Sequence, residues 1–260
     1  SEEVRVVSLS PAITETLFAL GVGELVVART DHCLQPAAAT SVASIGPGLS
    51  PDLEGIAKRQ PTLILTDAGA VMNVRSLSKI APTEALKWLT LDDVTKSIRT
   101  LGRWVGREQE ASVLSQRLHD TLSVSAPADA LRVLLLIGVE PKADSLWYIR
   151  PNSLHGRALE AAGGRNAMDA TDGGAPELSL EALLKINPDV IIGLSDGPAS
   201  SPAKREAFIR RFDTFPGLKA AQEKRIFVIA RPGTMSVGPT ILELAKELRA
   251  VISSSGEAAR

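Results

Sequence analysis

Short apolar runs in the first part of the chain alternate with segments whose apolar residues recur three or four positions apart. Residues 4–9 have the pattern of a buried strand. Ser10-Pro11 then supplies a helix N-cap and a proline at the first helical position, and Gly21 ends that helix. A second strand follows at 25–28, and a further helix and strand extend to residue 65. This alternation predicts a parallel sheet covered by helices.

The pattern changes from Asp92 to Leu122, where apolar residues keep a helical spacing and proline is absent. We expect a single helix over 92–122, about 45 Å long at the α-helical rise. A strand at 132–137 then begins a second series of strands and helices. The chain is therefore predicted to be an α/β protein with two similar lobes, each a mainly parallel sheet flanked by helices. Residues 1–91 and 123–260 form the lobes, and the long helix joins them.

One segment of the sequence is repeated. Residues 53–65 read LEGIAKRQPTLIL and residues 180–192 read LEALLKINPDVII. Glu54 and Glu181 occupy the same position in the first turn of each helix, where a carboxylate favours the positive end of the helix dipole. The dipole explains a glutamate at either position, but it does not explain why both lobes carry one.

Composition excludes several classes of protein. The 260 residues carry a formal net charge of -1 and only 3% aromatic residues, so nothing predicts a nucleic-acid partner. The longest apolar run, 133–137, is far too short to cross a membrane. The first residues show no basic segment followed by an apolar stretch, so any export signal is either removed or absent. Cys33 is the single cysteine, which excludes an internal disulfide.

Gly193-Leu194-Ser195-Asp196-Gly197 is a G-x-S-x-G sequence directly after a predicted strand, where α/β-hydrolases carry a nucleophilic serine. That geometry needs a helix immediately after the serine and a histidine later in the chain. Residues 197–202 continue instead as a loop, and His155 is the last histidine. We expect a polar strand-end loop here, and a serine hydrolase using Ser195 is the alternative of a different class.

Three short segments could bind a ligand. Asp31-His32-Cys33 follows a predicted strand, on a loop that faces either a cleft or solvent. Trp147 and Tyr148 stand beside Arg150, and they either contribute to a groove or pack at the edge of a hairpin. Arg231 follows the last predicted strand, where it meets a ligand carboxylate or phosphate, or simply lies on the surface. Three scattered histidines predict no transition-metal site.

Together these motifs resemble the solute-binding proteins of bacterial ABC importers, in the class with one long linking helix that binds vitamin B12, haem and iron-siderophores. The resemblance rests on residues 6–15 (VVSLSPAITE), 17–21 (LFALG), 53–56 (LEGI), 161–166 (AAGGRN) and the Glu181 segment. Its vitamin B12-binding members are the nearest. The resemblance implies a monomeric, non-catalytic receptor with a groove between its lobes. It also implies a periplasmic or membrane-anchored extracytoplasmic location, without insertion in the membrane.

The resemblance further implies roles for individual residues. Glu54 and Glu181 would be received by arginine pockets on a membrane permease. The ligand would be a corrinoid or a similar metal-chelate, with haem or an iron-siderophore as the alternative, and no cofactor is expected. His32 could replace an axial ligand of cobalt. The residues expected to bind the ligand are Asp31, His32, Cys33, Trp147, Tyr148, Arg150 and Arg231.

Overall fold

The computed structural model describes residues 3–69, 74–140, 142, 145–169, 175–197 and 201–257. The chain divides into two compact units: unit 1 comprises Ser1–His119 with Ser236–Thr240, and unit 2 comprises Asp120–Met235 with Ile241–Arg260. Each unit is an α/β body, which confirms the predicted fold class. The chain crosses from one unit to the other after residues 119, 235 and 240. None of the described helices is both long and apolar enough to cross a membrane.

Unit 1 is built on a four-stranded parallel sheet. Its strands are β1 (Val6–Ser8), β2 (Val26–Arg29), β3 (Leu63–Asp67) and β4 (Thr83–Leu86), in the order β2-β1-β3-β4. The described helices are α1 (Pro11–Ala19), α2 (Leu53–Lys58), α3 (Val74–Leu77), α4 (Leu91–Trp104) and α5 (Glu108–Leu122), and the end of α5 after His119 belongs to unit 2. Val7 and Ile64, on adjacent strands, are fully buried, and Ile56 of α2 belongs to the same core. Strands buried on both faces give the continuous apolar runs seen in the sequence.

The structure corrects the prediction of one helix over 92–122. Two helices, α4 and α5, occupy this stretch, and the chain breaks between them at Gly106. Gly106 has a left-handed φ of 67°, and the backbone N–H of Arg107 donates to the carbonyl of Gly102 at 2.7 Å. This bond closes a Schellman motif, which ends a helix. Gly102 itself allows a close approach, because a Cβ there would lie 2.4 Å from the Cβ of Ala111.

Unit 2 is built on a six-stranded mixed sheet. Its strands are β5 (Arg132–Ile137), β6 (Ser145–Tyr148), β7 (Arg165–Asn166), β8 (Glu177–Ser179), β9 (Val190–Ser195) and β10 (Ile226–Ala230). The order is β10-β9-β5-β6-β8, with β7 paired to β5, and both pairings of β6 are antiparallel. The described helices are α6 (Leu154–Ala161), α7 (Leu180–Ile186), α8 (Pro202–Arg210), α9 (Lys219–Gln222) and α10 (Ile241–Glu257).

The repeat extends to contacts that the sequence comparison did not include. The guanidinium of Arg5, just before β1, donates to the carbonyl of Arg59 at the end of α2, at 2.7 Å. Arg132, at the start of β5, donates in the same way to the carbonyl of Ile186 at the end of α7, at 2.9 Å. In both units a cation therefore satisfies a carbonyl that a helix end leaves open.

Candidate ligand-binding site

A pocket of about 530 Å³ lies in unit 1 at the carboxyl ends of β1, β2 and β3. Ligands of α/β proteins bind at this edge of a parallel sheet, and the volume is in the usual range for small-molecule sites. We call it the strand-end pocket. It is lined by Leu9, Ser10, Pro11, Thr30, His32, Pro47, Gly48, Leu49, Asp67 and Gly69.

Hydrogen bonds fix the loop that leads from β1 into α1 at one wall of the pocket. The hydroxyl of Thr14 donates to that of Ser8 at 2.8 Å, and the Ser8 hydroxyl donates to the carbonyl of Ser10 at 3.2 Å. Ser8 and Ser10 are buried, and Pro11 holds the first helical position. Ser10 caps α1 without a side-chain hydrogen bond to it. The wall is therefore preorganised by polar contacts behind it.

The predicted segment Asp31-His32-Cys33 has three different environments. His32 is exposed and lines the strand-end pocket. Cys33 is fully buried, and its sulfur lies 3.1 Å from the hydroxyl of Thr30. Asp31 is exposed, and its carboxylate accepts a hydrogen bond from the hydroxyl of Ser44. Of these three residues, His32 is the one that the structure places on the pocket surface.

The loop that carries His32 is tied down by Arg29, the last residue of β2. This guanidinium is buried and donates to the carbonyls of Ala39 at 2.8 Å, Thr30 at 2.8 Å and Thr40 at 3.1 Å. Arg29 therefore holds the loop in place. It precedes the pocket residue Thr30, but its guanidinium is engaged by these carbonyls. His32 is presented from a backbone that these contacts hold in place.

Asp67 is a lining residue that the sequence reasoning missed. It ends β3, and its carboxylate accepts a hydrogen bond from the backbone N–H of Gly69 at 2.7 Å. A polar residue at the carboxyl end of a central parallel strand is the signal that could have found it. Leu49, which is 65% exposed, also lines the pocket and adds apolar surface at its edge.

A larger cavity, of about 720 Å³, lies at the opposite edge of the same sheet. Its lining consists of residues that precede β3 and β4, in the ranges 57–62 and 79–82. Ligand sites of α/β sheets lie beyond the carboxyl ends of the strands, so this cavity is the weaker candidate despite its volume.

In unit 2 the predicted aromatic pair is divided between core and surface. Tyr148 is buried in the core, whereas Trp147 is 46% exposed. Trp147 pairs across the antiparallel ladder with Ile137, which is 41% exposed, and both line a cavity of about 90 Å³ together with Arg211. Side chains alternate along a strand, so only one of two consecutive aromatics can face outwards. Trp147 and Ile137 together form an exposed apolar surface at the end of β5.

The two predicted arginines are also placed differently from each other. Arg231 pairs with Glu247 of α10, with 2.6 Å between Nε and Oε1. Its Nη1 donates weakly to the carbonyl of Pro232 at 3.3 Å. Arg150 is half-buried in the turn before α6, where its carbonyl accepts from the hydroxyl of Ser153 at 2.8 Å. The guanidinium of Arg231 is thus engaged in holding α10 to the loop after β10.

His155 and Ser195 do not show the arrangement that a serine hydrolase needs. The imidazole of His155 is buried, and its Nε2 donates to the carbonyl of Thr234 at 3.0 Å. Burial lowers the pKa of His155, opposed by that hydrogen bond and by the charge of Asp196. Ser195 is the last residue of β9, and the next described helix begins at Pro202. Part of the intervening loop, 198–200, lies outside the described residues.

The two repeated glutamates are highly exposed, each on the first turn of its helix. The side chains of Glu54 and Glu181 are 78% and 80% exposed. Asp52 caps α2 through the backbone N–H of Gly55, and Ser179 caps α7 in the same way. Both carboxylates are therefore available at the surface of their own unit.

Two α/β units in one chain, one of them with a ligand-sized pocket at its strand ends, are typical of a small-molecule binding protein. Residues 6–232 match the family described as "Periplasmic binding protein". The chain belongs to the periplasmic binding protein family, which confirms the resemblance seen in the sequence.

Individual relatives agree with this assignment. The ABC transporter substrate-binding lipoprotein YvrC of Bacillus subtilis is 24% identical over 258 residues, 95% of this chain and 79% of YvrC. A cobalamin-binding protein of Halobacterium salinarum is 30% identical over 211 residues, which are 74% of this chain and 54% of that protein. The periplasmic heme-binding protein HutB of Vibrio cholerae has the same fold, with a TM-score of 0.78, 19% identity, and coverage of 96% of this chain and 99% of HutB.

Proposed function

We propose that this protein is the substrate-binding component of an ABC importer. It captures a metal-centred macrocycle outside the cytoplasm and delivers it to a membrane permease. A corrinoid is the first candidate for the ligand, and haem or a ferric siderophore is the alternative. The binding step needs no chemical reaction from the protein. Relatives named as substrate-binding lipoproteins and cobalamin-binding proteins support this proposal.

The observation that carries the proposal is the composition of the strand-end pocket. Most of its lining is apolar or backbone, with His32 and Asp67 as its ionisable groups and no lysine or arginine among the residues that line it. A ligand of high negative charge, such as ferric citrate, would be repelled by Asp67 and would meet no lysine or arginine among the described lining residues. A macrocycle with neutral amide substituents would gain apolar contact and hydrogen bonds. The pocket therefore favours a corrinoid over an anionic iron chelate.

His32 supplies the residue for a metal contact. A neutral imidazole is a good ligand for cobalt or iron, and its side chain is exposed at the pocket surface. The single tyrosine, Tyr148, is buried in the core of unit 2 and so is not presented to a haem iron. We therefore assign His32 the axial position on the metal of the bound macrocycle.

The test is a thermal-shift screen with cobalamin, cobinamide, haem and a panel of ferric siderophores. A ligand at a hundredfold excess over its Kd stabilises the folded state by about 2.7 kcal/mol. For a chain of this length that is a rise in melting temperature of roughly 5–10 °C. A rise with the corrinoids alone is the expected result. A rise with haem or a siderophore alone would show that this compound, and not a corrinoid, is the ligand. No rise with any of them would contradict a metal-chelate ligand.

The role of His32 is tested by the absorbance spectrum of the bound ligand. If His32 binds the metal, the spectrum of the complex with cobinamide should change in His32→Ala, and affinity should fall. The exposed His119 in α5 provides the matched control, and His119→Ala should leave both unchanged. A spectrum that is the same in wild type and His32→Ala would reject axial binding by His32.

A further inference from the structure

Each of the two repeated glutamates is already paired with a lysine of its own helix. Lys58 Nζ lies 2.7 Å from Glu54 Oε1, and Lys185 Nζ lies 3.0 Å from Glu181 Oε1. The four side chains are between 73% and 80% exposed. The same i, i+4 ion pair therefore occurs at the same position in both units.

The ion pair is what the two exposed helix faces have in common. Between the paired residues, Ala57 of α2 corresponds to Leu184 of α7, and both positions are exposed. One position beyond each lysine, Arg59 corresponds to Ile186. The surface around the pair thus differs in size and polarity between the units, while the glutamate and the lysine are the same.

A lysine beside a docking carboxylate opposes the binding of a cation from a partner. A guanidinium binds a carboxylate most strongly through both oxygens, and the ammonium already occupies one of them. The partner cation must also approach an ammonium of like charge. Exposed ion pairs of this type are weak, so displacing each lysine should cost about a factor of two in affinity.

We propose that Lys58 and Lys185 are internal competitors that weaken docking on the permease. This inference rests on the proposed function, with Glu54 and Glu181 as the carboxylates that cationic pockets of the permease receive. The two lysines keep the carboxylates neutralised in the free protein and make docking easily reversible. Removing both should therefore tighten docking, although each removal deletes a favourable contact within its own helix.

The experiment measures binding of the full chain to its cognate permease in nanodiscs. Lys58→Ala/Lys185→Ala should bind about fourfold more tightly than wild type at low ionic strength, if the two sites act independently. The gain should vanish near 1 M salt, where exposed charges are screened. Lys58→Arg/Lys185→Arg keeps the competing charges and should show none of this gain. Lys246→Ala is the matched control, because Lys246 pairs with Glu243 of α10 at 3.0 Å.

Glu54→Ala/Glu181→Ala separates this inference from the function on which it rests. If that variant docks like wild type, the docking role of the glutamates is wrong, and so is the inference. If it docks weakly while the double lysine-to-alanine variant binds like wild type, the lysines are ordinary helix pairs and only the inference fails. Weaker docking of the double lysine-to-alanine variant would show that the lysines contact the permease themselves, which also overturns it.

Discussion

Burial is the main influence on the pKa of His155, and the hydrogen-bond partner of its ring among the described residues is a backbone carbonyl. The ring is 5% exposed, and its Nε2–H is used by the carbonyl of Thr234. A protonated ring would carry a positive charge and a second N–H in this buried environment, away from water. Desolvation therefore lowers the pKa of His155 from its ordinary value of 6.5, and the hydrogen bond to Thr234 and the charge of Asp196 compensate only in part.

This shift makes the stability of the protein depend on pH. The unfolded chain binds a proton at His155 more readily than the folded chain, so the free energy of unfolding falls as the pH drops below 6.5. Above that pH the imidazole is neutral in both the folded and the unfolded chain, so His155 does not lower the free energy of unfolding. When the pH is lowered from about 7.5 to about 5.5, the melting temperature of His155→Gln should fall less than that of wild type. His119→Gln, at an exposed position, is the control, and equal losses in all three proteins would contradict the assignment.

At the level of elements, the break between α4 and α5 is a consequence of one residue. Apolar spacing continues across Gly106, which is why the sequence predicted a single helix. Hydrophobic periodicity reports which face of a segment is buried, and two consecutive helices against one core can share that periodicity. The C-terminal signal was present as a glycine followed by the polar residue Arg107, but a glycine inside a periodic segment is ambiguous from sequence alone.

Gly106→Ala distinguishes the two arrangements by the sign of its effect. In a continuous helix, alanine would stabilise the protein by about 1 kcal/mol over glycine. At a left-handed φ of 67° it should instead destabilise by about 1–2 kcal/mol, because nothing else lies within 4 Å of the new Cβ and only the backbone strain remains. Gly106→Asn should cost less than Gly106→Ala. Urea unfolding of the three proteins measures both differences.

At the scale of the whole molecule, a short segment between β10 and α10 of unit 2 belongs to unit 1. The backbone N–H of Thr240 donates to the carboxylate of Glu15, which is 3% exposed in α1, at 3.2 Å. Gly238 packs so closely that a Cβ would lie 2.5 Å from the same carboxylate and 3.0 Å from the Cα of Ala12. A late segment of the sequence thus completes the packing around the first helix.

Gly238→Ala should therefore destabilise unit 1 rather than the unit that precedes and follows it in sequence. The overlap with Ala12 and Glu15 should cost about 1–3 kcal/mol. Hydrogen exchange of α1 amides should accelerate, and exchange in β10 should change less. Gly217→Ala is the control, since nothing lies within 4 Å of a Cβ at that position. Unchanged exchange in α1 would mean that the segment contributes no packing to it.

Much of both units could be predicted from the sequence, because parallel strands buried on both faces are written as apolar runs. The runs at 63–65 and 190–192 fall within β3 and β9. The candidate site was harder to predict from the sequence. His32 followed from the position of a loop after a strand, but the burial of Cys33 and the core position of Tyr148 depend on which way a turn or a pleat faces. Pattern specifies that one of two neighbours points inwards, whereas tertiary packing decides which.

The uneven burial of the three tryptophans gives this protein a built-in optical probe. Trp88 is 4% exposed and Trp104 is half-buried, whereas Trp147 is 46% exposed beside Ile137. Emission from an indole in contact with water is shifted to the red and is accessible to soluble quenchers, so the Trp147 component can be separated from the others. Corrins and haems absorb in the range where tryptophan emits. A bound macrocycle would therefore quench tryptophan emission by energy transfer, and ligand capture could be followed in real time without a label.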